Sequence, residues 1–186
     1  MPHSAPDGKL EAVTILKQLP ITSAIDVGPG TGTWGELLRT VNPSVRLTAI
    51  EVWAPYVSRY DLASKYDRVV IADVRVIDWG RFGYQDLIVL GDVLEHMTLD
   101  DAREVLDRAT DHATVVLVTV PIGEYPQGTM EGNPFEAHRM TFYEDTLPNW
   151  IPGWMAASIR GPETTMYFLS YVTKVQELIK RAASGL

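Results

Sequence analysis

The sequence contains no cysteine, no long apolar run and few basic residues, and each shortage excludes a class of structure or partner. Without cysteine there can be no disulfides, thiolate metal sites or cysteine nucleophiles. No apolar stretch reaches the roughly 18 residues that span a bilayer, and residues 1–7 lack the charged and apolar regions of a signal peptide. Lysine and arginine number 16 against 24 acidic residues. We therefore expect a cytoplasmic protein without membrane contact, and the charge balance disfavours nucleic acid as a partner.

The chain has 186 residues, a length that suits one domain over residues 1–186. Short β-branched runs alternate with segments of helical period through most of it. Strands that alternate with helices form βαβ units, so this pattern predicts an α/β fold with a doubly wound, mostly parallel sheet and helices on both faces. Ligands of such sheets bind beyond the carboxyl ends of the strands.

A glycine-rich turn lies between the first predicted strand and the helix that follows it. Gly28, Gly30 and Gly32 leave bare backbone there, which permits a sharp turn and the close approach of a ligand. The dinucleotide fingerprint would need a third glycine at Thr33, and the turn has no lysine for a nucleoside triphosphate. The pattern indicates a ligand site and disfavours a nicotinamide oxidoreductase; a plain tight turn is the alternative.

Acidic residues end the next two predicted strands. Glu51 ends the second strand, where a carboxylate can accept hydrogen bonds from both hydroxyls of a ribose. Asp73 ends the third strand and can reach an adenine amino group, while the amide of Val74 can meet a ring nitrogen. Either acid alone could be a solvated or turn-capping residue. Together with the glycine turn, they predict a nucleoside site at one edge of the sheet.

With these features the sequence resembles the class I S-adenosylmethionine-dependent methyltransferases over about residues 20–125. The resemblance rests on residues 26–32, on Glu51, on residues 72–74 and on residues 87–96, which end like the D-x-L-E-H segment of the ubiquinone-biosynthesis-like branch. It implies S-adenosylmethionine as the cofactor and methyl transfer as the reaction. The residues implied to surround the cofactor are Asp26, Gly28, Gly30, Gly32, Glu51, Trp53, Asp73, Val74, Gly91 and Asp92.

The fold of that family is Rossmann-like and has seven strands, the last of which is antiparallel and inserted by a hairpin. The resemblance thus implies a cofactor-binding core over residues 20–120, a substrate loop or lid over residues 121–150 and a C-terminal hairpin over residues 151–174. The irregular stretch 121–140 follows the fifth strand. We therefore expect it to lie beside the cofactor and, with the helical segment 9–19, to cap the site.

A base for the reaction is expected in this stretch. Methyl transfer needs alignment and exclusion of water, and a hydroxyl or ammonium acceptor must also lose a proton. We expect His138 to accept that proton or to orient the acceptor, helped by Glu136, Tyr125 and His96. The alternative is that the two histidines only anchor the loop and the cofactor edge. Asp92 alone is too little to hold a cation, so we expect no metal.

The predicted function is transfer of a methyl group from S-adenosylmethionine to a small-molecule acceptor, such as a sugar-like hydroxyl, by a monomer or homodimer. Two alternatives stay open. The acceptor could be a protein or nucleic-acid group, although the net charge of −8 argues against nucleic acid. The chain could also be a module that binds the cofactor without catalysing a reaction.

Overall fold

The computed structural model describes residues 7–186, so the signal-peptide expectation for residues 1–7 falls, except for its last residue, outside the described residues. The strands are β1 (Ser23–Val27), β2 (Arg46–Glu51), β3 (Arg68–Ile71), β4 (Gln85–Gly91), β5 (Ala113–Pro121), β6 (Met155–Arg160) and β7 (Thr164–Leu169). The helices are α1 (Lys9–Leu16), α2 (Thr33–Val41), α3 (Ala54–Arg59), α4 (Leu62–Lys65), α5 (Leu99–Asp111), α6 (Thr146–Trp150) and α7 (Thr173–Ala183).

Within the described residues, the sheet has seven strands in the order β3-β2-β1-β4-β5-β7-β6. β1 pairs in parallel with β2 and with β4, and β4 pairs in parallel with β5. β7 runs antiparallel to both β5 and β6, because β6 and β7 form a hairpin that inserts its second strand beside β5. The predicted fold class is thereby confirmed: the sheet is mostly parallel, and its last strand is antiparallel.

The central strands are apolar because they are covered on both faces. Along β4, Leu87 and Val89 point into a core with residues of α1, α2 and α7. Ile88 and Leu90 point into a second core with residues of α5. Successive side chains of a strand alternate between the two faces, so a strand between two helical layers needs apolar residues at every position.

Helical periodicity locates the longer helices and misses the two shortest. α1 ends at Leu16, earlier than residue 19, although Leu19 is buried in the same core. α4 and α6 have four and five residues; such segments complete too few turns to show an apolar stripe, so the sequence pattern does not predict them. No helix within residues 7–186 combines the length and apolar character needed to cross a membrane.

The strand order determines where a ligand can bind. β1 and β4 are adjacent in the centre of the sheet and end at Val27 and Gly91, while β2 lies beside β1 and ends at Glu51. The chain leaves β1 towards β2 on one side and later returns to β4 on the other, so the connections diverge here. A crevice forms at such a point, outside the carboxyl ends of the strands.

We predict that Leu106→Ala lowers the free energy of unfolding by about 2–5 kcal/mol, because it removes a side chain that α5 buries against the sheet. Urea denaturation measures the change. Leu99→Ala, in the same helix but 46% exposed, is the matched control and should cost much less. Equal losses in the two variants would contradict the assigned packing face of α5.

Candidate functional site

A cavity of about 400 Å³ opens at the carboxyl ends of the strands. Of the residues implied to surround the cofactor, those that line this cavity are Gly28, Gly30, Glu51, Asp73, Val74, Gly91 and Asp92. The four expected catalytic residues, Tyr125, His96, Glu136 and His138, also line it. Asp26, Gly32 and Trp53 do not. The fold thus joins the strand ends and the loop after β5 in one cavity.

The glycine turn approaches the cavity with its backbone. Gly28, Gly30 and Gly32 have φ angles of 63°, 52° and 84°, which residues with side chains rarely adopt. A Cβ at Gly28 would lie 2.8 Å from Cγ2 of Val93, so a side chain has no room there. At Gly32 the Cβ would lie 2.6 Å from Cδ of Lys65 instead. Gly32 therefore packs against α4 and not against the cavity.

Asp26 lies beneath the glycine turn and does not line the cavity. The residue is fully buried, and its Oδ2 accepts a hydrogen bond from the Tyr66 hydroxyl at 2.5 Å. Its Oδ1 is buried and has no hydrogen-bond partner among the described residues. Burial raises the pKa of Asp26 to about 7. Asp26 can therefore influence a ligand through the glycine turn that follows it, without touching the cavity surface.

Glu51 lies in the cavity, as expected from its place at the end of β2. Its Oε1 accepts a hydrogen bond from the amide of Trp53 at 2.6 Å, which fixes the orientation of the carboxyl group. Burial raises the pKa of Glu51 to about 7. The Trp53 ring packs towards Phe135 instead, with ring centroids 6.4 Å apart. Trp53 does not itself line the cavity, and its expected contact with the nucleoside stays a prediction.

Asp73 lines the cavity but is already paired. Both of its carboxylate oxygens accept hydrogen bonds from Arg75, at 2.9 Å and 3.1 Å from Nε. These hydrogen bonds lower the pKa of Asp73. Arg75 also lies 3.6 Å from Asp101 of α5. Arg75 therefore fixes the position of the Asp73 carboxylate at the cavity, and Val74 lines the cavity next to it.

Among the contacts of the predicted lid, residues 121–150, one is made with α3 and another with the segment that follows β4. Near its middle, Glu131 forms an ion pair with Arg59 of α3 at 2.6 Å. Near residue 140, the amides of Arg139 and Met140 donate hydrogen bonds to the carbonyl of Glu95, at 2.8 Å and 3.3 Å. The lid therefore spans the cavity from the β2 side to the β4 side, and Tyr125, Glu136 and His138 reach the cavity from it.

His138 of the lid packs against His96, which follows β4. The ring centroids of His96 and His138 lie 4.9 Å apart in an edge-on arrangement. Nδ1 of His138 lies 2.6 Å from the carbonyl oxygen of Tyr125. Because a carbonyl oxygen only accepts, Nδ1 carries the proton, and Nε2 of the neutral ring is left as the basic atom. Burial lowers the pKa of His96 to about 4, and nearby His138 contributes, so His96 is neutral near pH 7.

Glu136 lines the cavity two residues before His138 in the lid. Its Oε1 accepts a hydrogen bond from Asn133 at 3.3 Å, and its charge raises the pKa of Glu51 in addition to burial. Burial also raises the pKa of Glu136 itself. The carboxyl group of Glu136 therefore acts on the charge of Glu51, and its expected help to His138 stays a prediction.

Glu95 is a residue for which the sequence suggested no role. It is 1% exposed, and its Oε2 is buried without a hydrogen-bond partner among the described residues, as is Nδ1 of His96. One ligand atom each from Glu95, His96 and His138 lies within 4.8 Å of the other two. The expectation of no metal considered Asp92 alone, and the fold supplies three further donors that are capable of holding a divalent cation. That expectation stays untested.

The raised pKa values of Asp26 and Glu51 predict how stability depends on pH. Both pKa values lie above the ordinary values of 3.8 for aspartate and 4.5 for glutamate, so the folded state binds these protons more tightly than the unfolded chain. The stabilisation that these two carboxyl groups give the folded state is complete below about pH 4 and is lost as the pH rises through about 7. Each group should lower the free energy of unfolding by at most about 1.4 kcal/mol per pH unit.

Urea titrations between pH 5 and pH 7.5 test this prediction. Asp26→Asn and Glu51→Gln should each flatten the decline that the wild type shows. Asp86→Asn is the control: burial raises the pKa of Asp86, but hydrogen bonds from Thr22 and Ser23 lower it overall, so this carboxyl does not titrate in the window. Parallel slopes in all four proteins would contradict the burial of Asp26 and Glu51.

Comparison with known proteins gives a likeness in structure only. No protein-family model and no curated protein matches the sequence. The N-terminal domain of EvdMO1, solved with SAH bound, has a TM-score of 0.64 and 13% identity, over 89% of this chain and 80% of that one. A methyltransferase from Clostridium acetobutylicum, dependent on S-adenosylmethionine, has a TM-score of 0.65 and 12% identity, over 89% and 92%.

A third similar structure is the methyltransferase domain of bacterial CtHen1-CN. It has a TM-score of 0.63 and 19% identity, over 88% of this chain and 98% of that one. At such identities the likeness establishes the fold alone. The chain therefore has the class I fold of S-adenosylmethionine-dependent methyltransferases.

Proposed function

We propose that the protein transfers a methyl group from S-adenosylmethionine to a small-molecule acceptor, with a hydroxyl as the favoured acceptor group. The observation that carries the proposal is the shared cavity. The bare backbone of Gly28 and Gly30, the carboxyl of Glu51 and the rings of His96 and His138 all line it. The SAH bound to the EvdMO1 domain supports the choice of cofactor, because that domain has the same fold.

The cofactor is proposed to lie across the strand ends. Its amino-acid end would lie on the glycine turn and near Gly91 and Asp92, its ribose hydroxyls would donate to Glu51, and its adenine would lie beside Asp73 and Val74. The high pKa of Glu51 suits a site whose ligand brings positive charge, since a sulfonium favours the ionised carboxylate. Bound cofactor would thus offset the cost of burying this acid.

The acceptor is proposed to enter beneath the lid, next to the two histidines. In-line displacement needs the acceptor atom at near-attack distance from the methyl group and water kept away, and the lid can provide both. Nε2 of His138 then accepts the proton of the hydroxyl as the new bond forms. Tyr125 fixes the tautomer of His138 through its carbonyl, and His96 orients the ring from its edge.

The charged residues that line the cavity indicate which chemical class of methyl acceptor the site suits. Acidic residues dominate the lining: Glu51, Asp73, Asp92, Glu95, Glu136 and Glu163. Arg75 is the one lysine or arginine among the described lining residues, and Asp73 and Asp101 pair with it. A phosphate or carboxylate would find no available cation here. The proposed acceptor is therefore neutral or positively charged.

A metal-assisted form of the same reaction is a second candidate. Glu95, His96 and His138 would hold a divalent cation, and the Nδ1 of His138 already donates to a carbonyl, as the second nitrogen of a ligating histidine usually does. A cation bound there would lower the pKa of the acceptor hydroxyl. The observation that favours this candidate is the unpartnered, buried Oε2 of Glu95.

The remaining expectations stay predictions. They are a single domain over residues 1–186, membership of the ubiquinone-biosynthesis-like branch on the basis of residues 92–96, a cytoplasmic location, and a monomer or homodimer. The two alternatives differ from the main proposal in what turnover would show. A module without catalysis would bind the cofactor and methylate nothing, and an enzyme for macromolecules would methylate proteins or nucleic acids but no small acceptor.

We predict that Glu51→Ala weakens the binding of S-adenosylhomocysteine by about 1–3 kcal/mol, because buried hydrogen bonds to the ribose are lost. Isothermal titration calorimetry measures the change. Glu124→Ala, an acid of the lid outside this cavity, is the control and should bind as the wild type does. Wild-type affinity in Glu51→Ala would show that Glu51 does not contact the ribose.

We predict that His138→Ala lowers the rate of methyl transfer by about 10²-fold or more while the affinity for S-adenosylhomocysteine is retained. The assay uses neutral sugars and phenols, amines and their anionic counterparts as acceptors. His112→Ala, which removes a ring that packs on Trp79, is the control. An unchanged rate in His138→Ala removes His138 from the mechanism.

The same assay separates the two forms of the mechanism. If His138 acts as the base without a metal, treatment with EDTA leaves the wild-type rate unchanged. If a cation is used, EDTA abolishes the rate and Mn²⁺ restores it, and calorimetry shows Mn²⁺ binding to the wild type that is lost in Glu95→Gln.

A further inference from the structure

We propose that Lys65 and Tyr66, which do not line the cavity, are positioning residues that hold the glycine turn in the shape needed for the amino-acid end of the cofactor. This inference rests on the proposed function. Lys65 is the last residue of α4 and Tyr66 follows it, far along the chain from the turn at residues 28–32, and neither is among the lining residues. Their polar atoms nevertheless bind both sides of that turn.

Tyr66 joins the beginning and the end of the turn through one hydroxyl group. The hydroxyl donates to Oδ2 of Asp26 at 2.5 Å and accepts a hydrogen bond from the amide of Gly35 at 3.1 Å. Asp26 lies two residues before Gly28, and Gly35 lies in the first turn of α2. Tyr66 is 5% exposed, so the packing around its ring holds the hydroxyl between these two groups.

Lys65 holds the middle of the turn from the outside. Its Nζ donates to the carbonyl of Thr31 at 2.7 Å and lies 2.7 Å from Oε1 of Glu36 in α2. The stem of the lysine passes the place where Gly32 would carry a Cβ, 2.6 Å from Cδ. The absence of a side chain at Gly32 therefore leaves room for Lys65 to reach the carbonyl of Thr31.

Gly35 leaves the space that the end of the Tyr66 side chain occupies. A Cβ at Gly35 would lie 2.6 Å from Cζ and 2.7 Å from the hydroxyl oxygen of Tyr66. Glycine lowers the stability of a helix, so α2 would be more stable with alanine at this position if the tyrosine were elsewhere. The glycine at position 35 is explained by the hydrogen bond between its amide and the Tyr66 hydroxyl, which a side chain at this position would obstruct.

The hydroxyl of Tyr66 also acts on the charge of Asp26. The titratable groups that act on this carboxyl are Tyr66, through its hydrogen bond, and Glu51 at the end of β2, while burial is the largest influence. The hydrogen bond lowers the pKa of Asp26, whereas burial and Glu51 raise it. Removal of the hydroxyl should therefore raise the pKa of Asp26, so that a higher pH is needed to ionise it.

Two ligands separate a positioning role from general support of the fold. S-adenosylhomocysteine has the amino-acid end, and 5′-methylthioadenosine has the same nucleoside and thioether without it. We expect Tyr66→Phe and Lys65→Met to weaken S-adenosylhomocysteine binding at least tenfold in calorimetry at pH 7, with methylthioadenosine affinity unchanged within twofold. Lys65→Arg should restore the affinity, because a guanidinium can still donate to the carbonyl of Thr31.

The pH dependence gives an independent readout. The midpoint pH of S-adenosylhomocysteine binding should be higher in Tyr66→Phe than in the wild type, and unchanged in Lys65→Met. Lys65 is 25% exposed at its side chain, so its variants can be measured even if Tyr66→Phe does not fold.

The possible failures are distinguishable. If the wild type binds neither ligand, the proposed function is wrong and this inference with it. If the wild type binds both and the variants lose both equally, or lose neither, the proposed function stands and the positioning role is overturned.

Discussion

The burial of several carboxyl groups at one edge of the sheet is the constraint on which the rest of the site depends. Parallel pairing of β1, β2 and β4 ends these strands side by side, which brings Asp26 and Glu51 together in a poorly solvated place. Burial raises both pKa values to about 7. Such a site is poorly suited to a pyrophosphate and well suited to a ligand with a sulfonium and an ammonium group, because a cation stabilises the ionised acids.

The glycine turn, the residues behind it and the lid each contribute to the site at this edge of the sheet. The glycine turn lets a ligand approach bare backbone, and Lys65 and Tyr66 bind the turn from behind. Glu131 of the lid pairs with Arg59 of α3, and the amides of Arg139 and Met140 bind the carbonyl of Glu95, so His138 lies in a segment that is attached to two different elements. Cofactor and acceptor would therefore be held by different elements, the strand ends and the lid, that meet at His96 and His138.

Sequence reasoning succeeds here where a residue type and its chain neighbours decide the outcome. Strand–helix alternation predicts the sheet, and Glu51 is predicted at the cavity because it ends a strand. Contacts between distant segments are not predictable in this way. The Trp53–Phe135 contact and the approach of Glu95 and His96 to His138 both depend on the path of the lid. The burial of Asp26 and its hydrogen bond to Tyr66, 40 residues along the chain, belong to the same kind of long-range contact.

Calorimetric titration of the intact protein with S-adenosylhomocysteine and, separately, with NAD⁺ tests the central claim most directly. A glycine turn and three strand ends shaped for an adenosyl amino acid should bind S-adenosylhomocysteine at one site per chain, with little or no heat from NAD⁺. If S-adenosylhomocysteine produced no binding heat at any temperature between 10 and 35 °C, or if NAD⁺ bound more tightly, the account of this sheet edge would be contradicted.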